Sequence, residues 1–204
     1  MLNAFLTGFI LGFSLILAIG AQNSFVLRQG LIGRHVFAVA MFCALSDALL
    51  IVIGVTGISI FLNNFIGLAA NWLFAISSIW LAGYGLVRIR SAIKGGELLI
   101  AADASSKSLT STLSLLAVLT FANPHVYLDT VVLIGSVSQQ FSENARLAYV
   151  LGASLASFVF FFSLAYGARL LSPIMKLPKS WQILDILIAI VMFILAFMMA
   201  QSVT

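Results

Sequence analysis

The sequence predicts an all-α integral membrane protein with six transmembrane helices, arranged as a 3+3 inverted repeat with broken helices in spans one and four. Three observations carry this expectation. Hydrophobic residues make up 62% of the chain and charged residues 8%, against about 25% charged in soluble domains. Runs apolar enough to cross a bilayer recur along the whole length. A single polar connector divides these runs three and three.

The six candidate spans fall at 4–26, 36–60, 66–88, 110–137, 147–170 and 183–202. The first begins close to Met1, and no Lys or Arg precedes Arg28. A secretory signal would start with a positive region, so this segment reads as a retained span, although Ala18, Gly20 and Ala21 resemble a cleavage site. Gly8 and Gly12 form a Gly-x-x-x-Gly pair, which indicates close helix packing. Spans two and three are joined by a short link near Asn63–Asn64. The connector, residues 91–108, carries Gly95–Gly96 and Ser105–Ser106 and reads as flexible. The chain is then one transmembrane domain, 1–204, with half-repeats at 1–90 and 109–204.

Basic residues set the expected orientation. Arg28, Arg34, Arg88, Arg90, Lys94, Lys107, Arg169, Lys176 and Lys179 follow spans one, three and five, and only Arg146 lies on the other side. This places those loops in the cytoplasm and both termini outside; five spans would move one terminus. The net charge of +4 therefore reflects topology rather than nucleic-acid binding. The single cysteine, Cys43, forms no internal disulfide and no Cys-x-x-Cys pair, which excludes a thiol-relay electron carrier. The seventeen phenylalanines read as lipid-facing or packing residues.

Two aspartates stand alone at membrane depth. Asp47 is the one charged residue from Val36 to Val87, and Asp129 the one from Ser108 to Ser142. A charge there costs at least about 2.5 kcal/mol, so it faces a cavity or a partner and marks a polar pathway. Ser46 precedes Asp47, and Gly54 and Gly57 follow on its face. Small residues there permit close helix approach or leave room for a ligand. His125 lies four residues before Asp129 and Ser136 seven after, which places all three on one helix face. An imidazole beside a carboxylate can relay protons or hold the carboxylate in place.

Two segments promise helix breaks. In span four, Pro124 removes a backbone donor within an apolar run of about 35 residues, too long for one straight span. Backbone groups freed there need protein or a water-filled cavity. In span one, Gly20 loosens the helix ahead of the amides Gln22 and Asn23. The segments Ala21–Leu27 and Ala122–Leu128 hold equivalent places in the two halves, with two identities in seven positions. An odd number of spans per half would make duplicated halves inverted, an arrangement common in secondary transporters. The broken segments offer uncharged groups for a substrate; packing through interhelical hydrogen bonds would use the same residues.

Three blocks resemble a known family. Gly20–Leu31 (GAQNSFVLRQGL), Leu45–Leu50 (LSDALL) and Asn123–Thr130 (NPHVYLDT) are similar to the bacterial lysine and arginine exporters of the LysE/ArgO type, and the likeness covers nearly the whole chain. Related exporters of neutral amino acids typically carry Pro-Gly-Pro in span one and Asn-Pro-Lys in span four. Ala21–Gln22–Asn23 and Asn123–Pro124–His125 favour the basic-amino-acid branch. The resemblance implies ion-driven export of L-lysine or L-arginine across the bacterial inner membrane.

The expected site is therefore Asp47, Asp129, Gln22, Asn23, Asn123, Pro124, His125 and Ser46. No catalytic residue, metal or cofactor is expected beyond a coupling ion, H+ or Na+. A homo-oligomer is compatible with the sequence. Export of neutral amino acids or of divalent cations on the same fold is the alternative. Intramembrane aspartyl proteases also use two aspartates, but they carry Gly-x-Gly-Asp where Asp129 follows Val126–Tyr127–Leu128. A purely structural protein would tolerate loss of both aspartates.

Overall fold

The computed structural model describes residues 1–17, 20–93, 108–171, 173 and 177–201. Most of the polar connector, including Lys94, Glu97, Asp103 and Lys107, lies outside the described residues, as do Ala18 and Lys176. All regular structure among the described residues is helical. Three helices are long and apolar enough to cross a membrane: Val36–Thr56, Glu143–Leu170 and Lys179–Gln201. Two bent helix pairs raise the number of candidate spans to five if each pair counts as one.

The first bent pair is α1 (Leu2–Ile16) and α2 (Ala21–Ile32), whose axes diverge by 82°. Gly33 ends α2 at φ 74°, where its N–H reaches the carbonyls of Gln29 and Gly30. Only glycine adopts this left-handed cap without a Cβ penalty. The second pair joins α5 (Leu109–Phe121) to a downstream arm, 65° apart. That arm consists of α6 (Pro124–Tyr127), a π-helical segment (Leu128–Ile134) and α7 (Gly135–Ser138). Breaks thus occur in both segments where the sequence placed them.

The second break follows directly from its residues. Asn123 is extended, as a residue before proline prefers, and its Oδ1 accepts the His125 N–H at 3.1 Å. Pro124 takes the first helical position, where a missing N–H costs nothing. The two breaks share a device. Each upstream helix ends in a carbonyl that the downstream arm satisfies. The Asn23 amide donates to Ile16 O at 2.8 Å, and the Tyr127 hydroxyl donates to Phe121 O at 2.9 Å.

One expectation differs. Helix α3 (Val36–Ile53) passes through a π-helical segment (Gly54–Ile58) into α4 (Ser59–Ile93), and α4 runs through Asn63–Asn64 without a link. Asparagine is a weak helix former but, unlike proline, keeps its backbone donor, so the pair does not force a break.

Helix α8 (Glu143–Gly167) is the spine. It packs along α1, α2 and α3. Its contact with α1 depends on small residues: a Cβ on Gly8 would strike Tyr149 O, and one on Gly152 would strike Phe5 O. Tyr149 is fully buried there, and its hydroxyl donates to Ile134 O at 3.1 Å. Helix α9 (Pro178–Gln201) pairs with α4 through Leu81, Ile188, Met192 and Ala196. Its other face exposes Ile186, Ile190, Ile194 and Phe197. A face this apolar suits lipid rather than water.

Candidate functional site

The two breaks converge on one cavity of about 70 Å³, several times the ~10–15 Å³ that a water requires. Gly20, Gln22 and Asn23 line it from the first break, and Asn123 and His125 from the second. Asp47 enters from α3, and Asp129 and Thr130 from the π segment after α6. Leu81, Phe161 and Met192 supply apolar wall from α4, α8 and α9. The cavity therefore brings together residues far apart in sequence, with both isolated aspartates at its surface.

Asp47 is 3% exposed. Its Oδ2 accepts a hydrogen bond from Ser157 Oγ of α8 at 3.2 Å. The lone carboxylate of span two thus has a neutral partner, and no described cation neutralises it through an ion pair. Asp129 lines the same cavity. Its Oδ2 is 3.3 Å from His125 Nε2, so the i,i+4 pair expected from the sequence forms.

Two polar atoms at this cavity have no hydrogen-bond partner: Gln22 Nε2 and His125 Nδ1. Gln22 is 9% exposed, so its amide donor cannot fall back on bulk water. A neutral His125 that donates from Nε2 to Asp129 presents Nδ1 as an acceptor. Uncommitted donor, uncommitted acceptor and two carboxylates together suit a ligand with a carboxylate, an ammonium and a further cation. Among the described residues no three His, Cys, Asp or Glu side chains gather as a metal-ligand set.

The remaining expected residues are placed differently. Pro124 shapes the break through its backbone position at the start of α6. Ser46 is buried beside Asp47 but is not among the lining residues; Ser157 makes the polar contact instead. Ser136 is exposed, which corrects the expectation that it continues the Asp129 face. The π segment supplies the reason: i→i+5 bonding widens the helix and rotates everything downstream, so seven residues no longer return to one face. Thr130 and Ile134 line the cavity in its place. Gly54 does share the Asp47 face, where it lies against Thr130 and Val131.

Residues 13–202 match the family described as LysE type translocator. The chain belongs to the LysE family. It is 39% identical over 199 residues to the YggA protein of Aeromonas salmonicida, covering 97% of this chain and 95% of that one. It is 34% identical over 206 residues to the arginine exporter protein ArgO of Salmonella enteritidis, covering 99% and 95%. The ArgO of Salmonella typhimurium gives the same identity and coverage. No solved structure matches the chain. The LysE-family membership agrees with the resemblance carried by the GAQN, LSDALL and NPHVYLD blocks.

Proposed function

We propose that this LysE-family protein exports basic L-amino acids, arginine or lysine, from the bacterial cytoplasm by ion-coupled alternating access. The observation that carries the reading is the pair of aspartates facing one cavity between two helix breaks. A guanidinium or ammonium is the natural partner of such a carboxylate. The relatives named as arginine exporters support the choice of substrate.

Asp47 holds either the substrate's cationic head or a proton, with Asp129 as the second carboxylate. A bare charge is costly in a low-dielectric cavity, so one or the other is present at each stage. Gln22 and Asn23 face the amino acid's carboxylate, and Asn123 and His125 its ammonium. Thr130 adds a hydroxyl already tied to Val126 O at 2.6 Å. The substrate loads from inside, the halves rock about the cavity, the substrate leaves, and the coupling ion returns. Moving a positive charge out against an inside-negative potential costs about 2.3 kcal/mol per 100 mV, which is why an inward ion is required. In this reading the chain forms six spans as two inverted halves, sits in the inner membrane and has both termini outside. The basic residues after spans one, three and five favour that orientation.

Counterflow of radiolabelled arginine in proteoliposomes tests the proposal, with lysine, leucine and threonine as competitors. Uptake suppressed by arginine or lysine, and absent from a correctly inserted Asp47→Asn variant, is the expected result. Normal counterflow by that variant would sink the scheme. Suppression by leucine or threonine alone would transfer the reading to neutral amino acids.

A further inference from the structure

A second buried charge cluster lies outside the cavity. Arg88 of α4 and Asp185 of α9 form an ion pair, Nη1 to Oδ1, at 3.3 Å. Asp185 is 3% exposed, and its Oδ2 accepts from Ser91 Oγ at 2.7 Å. The guanidinium carbon of Arg88 sits 4.7 Å from the centroid of the Tyr84 ring, and its Nη2 donates to the Tyr84 hydroxyl. Trp80 stacks on the Tyr84 ring, with centroids 5.7 Å apart. Carboxylate, hydroxyl and aromatic face together make a cradle for a planar cation.

Position ties this cradle to the cavity. Leu81 and Met192 line the cavity, and Arg88 and Asp185 lie seven residues from them on the same two helices. Seven residues return to the same helix face, about 10 Å along the axis. The cluster therefore sits two turns from the cavity, toward the connector end of α4. That end is also where the basic residues accumulate.

Arg88 engages the carboxylate, hydroxyl and ring of the cradle but leaves one of its donors unsatisfied. Its contact to Asp185 is longer than the ~2.7–2.9 Å of a well-formed charge-assisted bond. Its buried Nε has no hydrogen-bond partner.

We propose that Asp185, Ser91 and Tyr84 form a second guanidinium-binding site, which Arg88 occupies as a tethered stand-in and which an incoming guanidinium compound takes by displacing it. The inference rests on the proposed export of basic amino acids, because that activity supplies the displacing ligand. It adds a selectivity: the Tyr84 face suits a planar guanidinium and gives less to an ammonium. Arginine is then preferred to lysine at this second site.

The test uses the purified full chain with Arg88→Ala, which empties the cradle, and methylguanidinium as probe. Low-millimolar methylguanidinium should raise the melting midpoint of Arg88→Ala by at least about 2 °C, while methylammonium does not. Wild type should respond only at higher methylguanidinium, because the tethered Arg88 competes for the cradle, and the Arg88→Ala/Asp185→Asn double variant should respond to neither cation. Equal response to both cations, or none, overturns the proposal. Should Arg88→Ala fail to fold, Arg88→Gln takes its place under the same criterion. In counterflow, Arg88→Gln should lower the half-saturating arginine concentration at least threefold and that of lysine by less; an equal gain for lysine, or weaker arginine binding, also overturns it. If wild type moves no basic amino acid at all, the export reading fails, while the melting experiment still decides the site.

Discussion

Gly54 and Gly135 meet backbone to backbone: a Cβ added to Gly135 would lie 2.6 Å from the Gly54 carbonyl oxygen. A Cβ on Gly54 would lie 2.7 Å from Val131 Cα. The two π-helical segments, one in each half of the chain, cross at this point. Asp129 and Thr130 sit on one of the crossing segments, so its position fixes theirs relative to Asp47. Close crossing of small residues is a common way for membrane helices to associate.

Alanine at Gly135 must therefore push the segments apart, since backbone atoms cannot rotate away. Overpacking of this kind costs about 1–3 kcal/mol. Gly135→Ala is expected to lower the melting midpoint in detergent and to reduce arginine counterflow roughly tenfold or more, the equivalent of about 1.4 kcal/mol. Gly83→Ala is the control. Nothing lies within 4 Å of a Cβ there, and alanine in a helix is favoured over glycine by about 0.5–1 kcal/mol. Melting curves that rank the two variants the other way would refute the crossing.

Ser157 is the protein partner of the Asp47 carboxylate in this conformation. Hydrogen bonds to charged groups contribute about 1.5–3 kcal/mol. Ser157→Ala should insert and fold normally but shift the half-saturating arginine concentration by about tenfold, corresponding to 1.4 kcal/mol. Ser14→Ala removes only an exposed bond to Ile10 O and should leave counterflow unchanged. Titration of arginine counterflow in both variants checks the contrast, and an unaltered Ser157→Ala would mean that Asp47 is positioned by other contacts.

The sequence made the aspartates legible because each was a solitary charge in a long apolar run, which is costly unless it faces something polar. Pro124 made the second break legible because proline acts on the backbone whatever surrounds it. Ser157 carried no such signal: serine is common in apolar helices, and its pairing with Asp47 exists only once α3 and α8 pack. Asp185 and Arg88 stand close to the ends of apolar spans, where a charge reads as interfacial until a partner helix covers it. The displaced register after Asp129 was also hidden. It arises where Gly54 lies against Thr130 and Val131, a tertiary contact without a local side-chain pattern.

Capping at the second break gives a separable prediction. The Asn123 side chain accepts the His125 N–H, and His125 in turn contacts Asp129. Replacing an Asn cap by alanine typically costs about 1 kcal/mol. Asn123→Ala should lose that stability and a larger share of transport, because it loosens the arm that carries His125 and Asp129. Asn123→Ser keeps a neutral acceptor at the cap and should retain most of the stability. Chemical denaturation or thermal melting beside counterflow separates the two effects. Equal stability of the alanine and serine variants would remove the cap from the account.

If a proton and the substrate cation exchange on the same carboxylate, the pH dependence has a definite sign. At low pH the carboxylate carries a proton that arginine must displace, so apparent affinity falls as pH falls. With equal pH on both sides of the vesicle, the half-saturating arginine concentration should rise by up to about tenfold per pH unit once protonation dominates. An imidazolium beside Asp129 would compete with the substrate cation, so His125→Gln should flatten part of that rise without abolishing counterflow. Equilibrium exchange of labelled arginine between pH 5.5 and 8 in wild type and His125→Gln decides the matter. A half-saturation that stays constant with pH in wild type would exclude proton exchange at this site and shift the coupling to Na+.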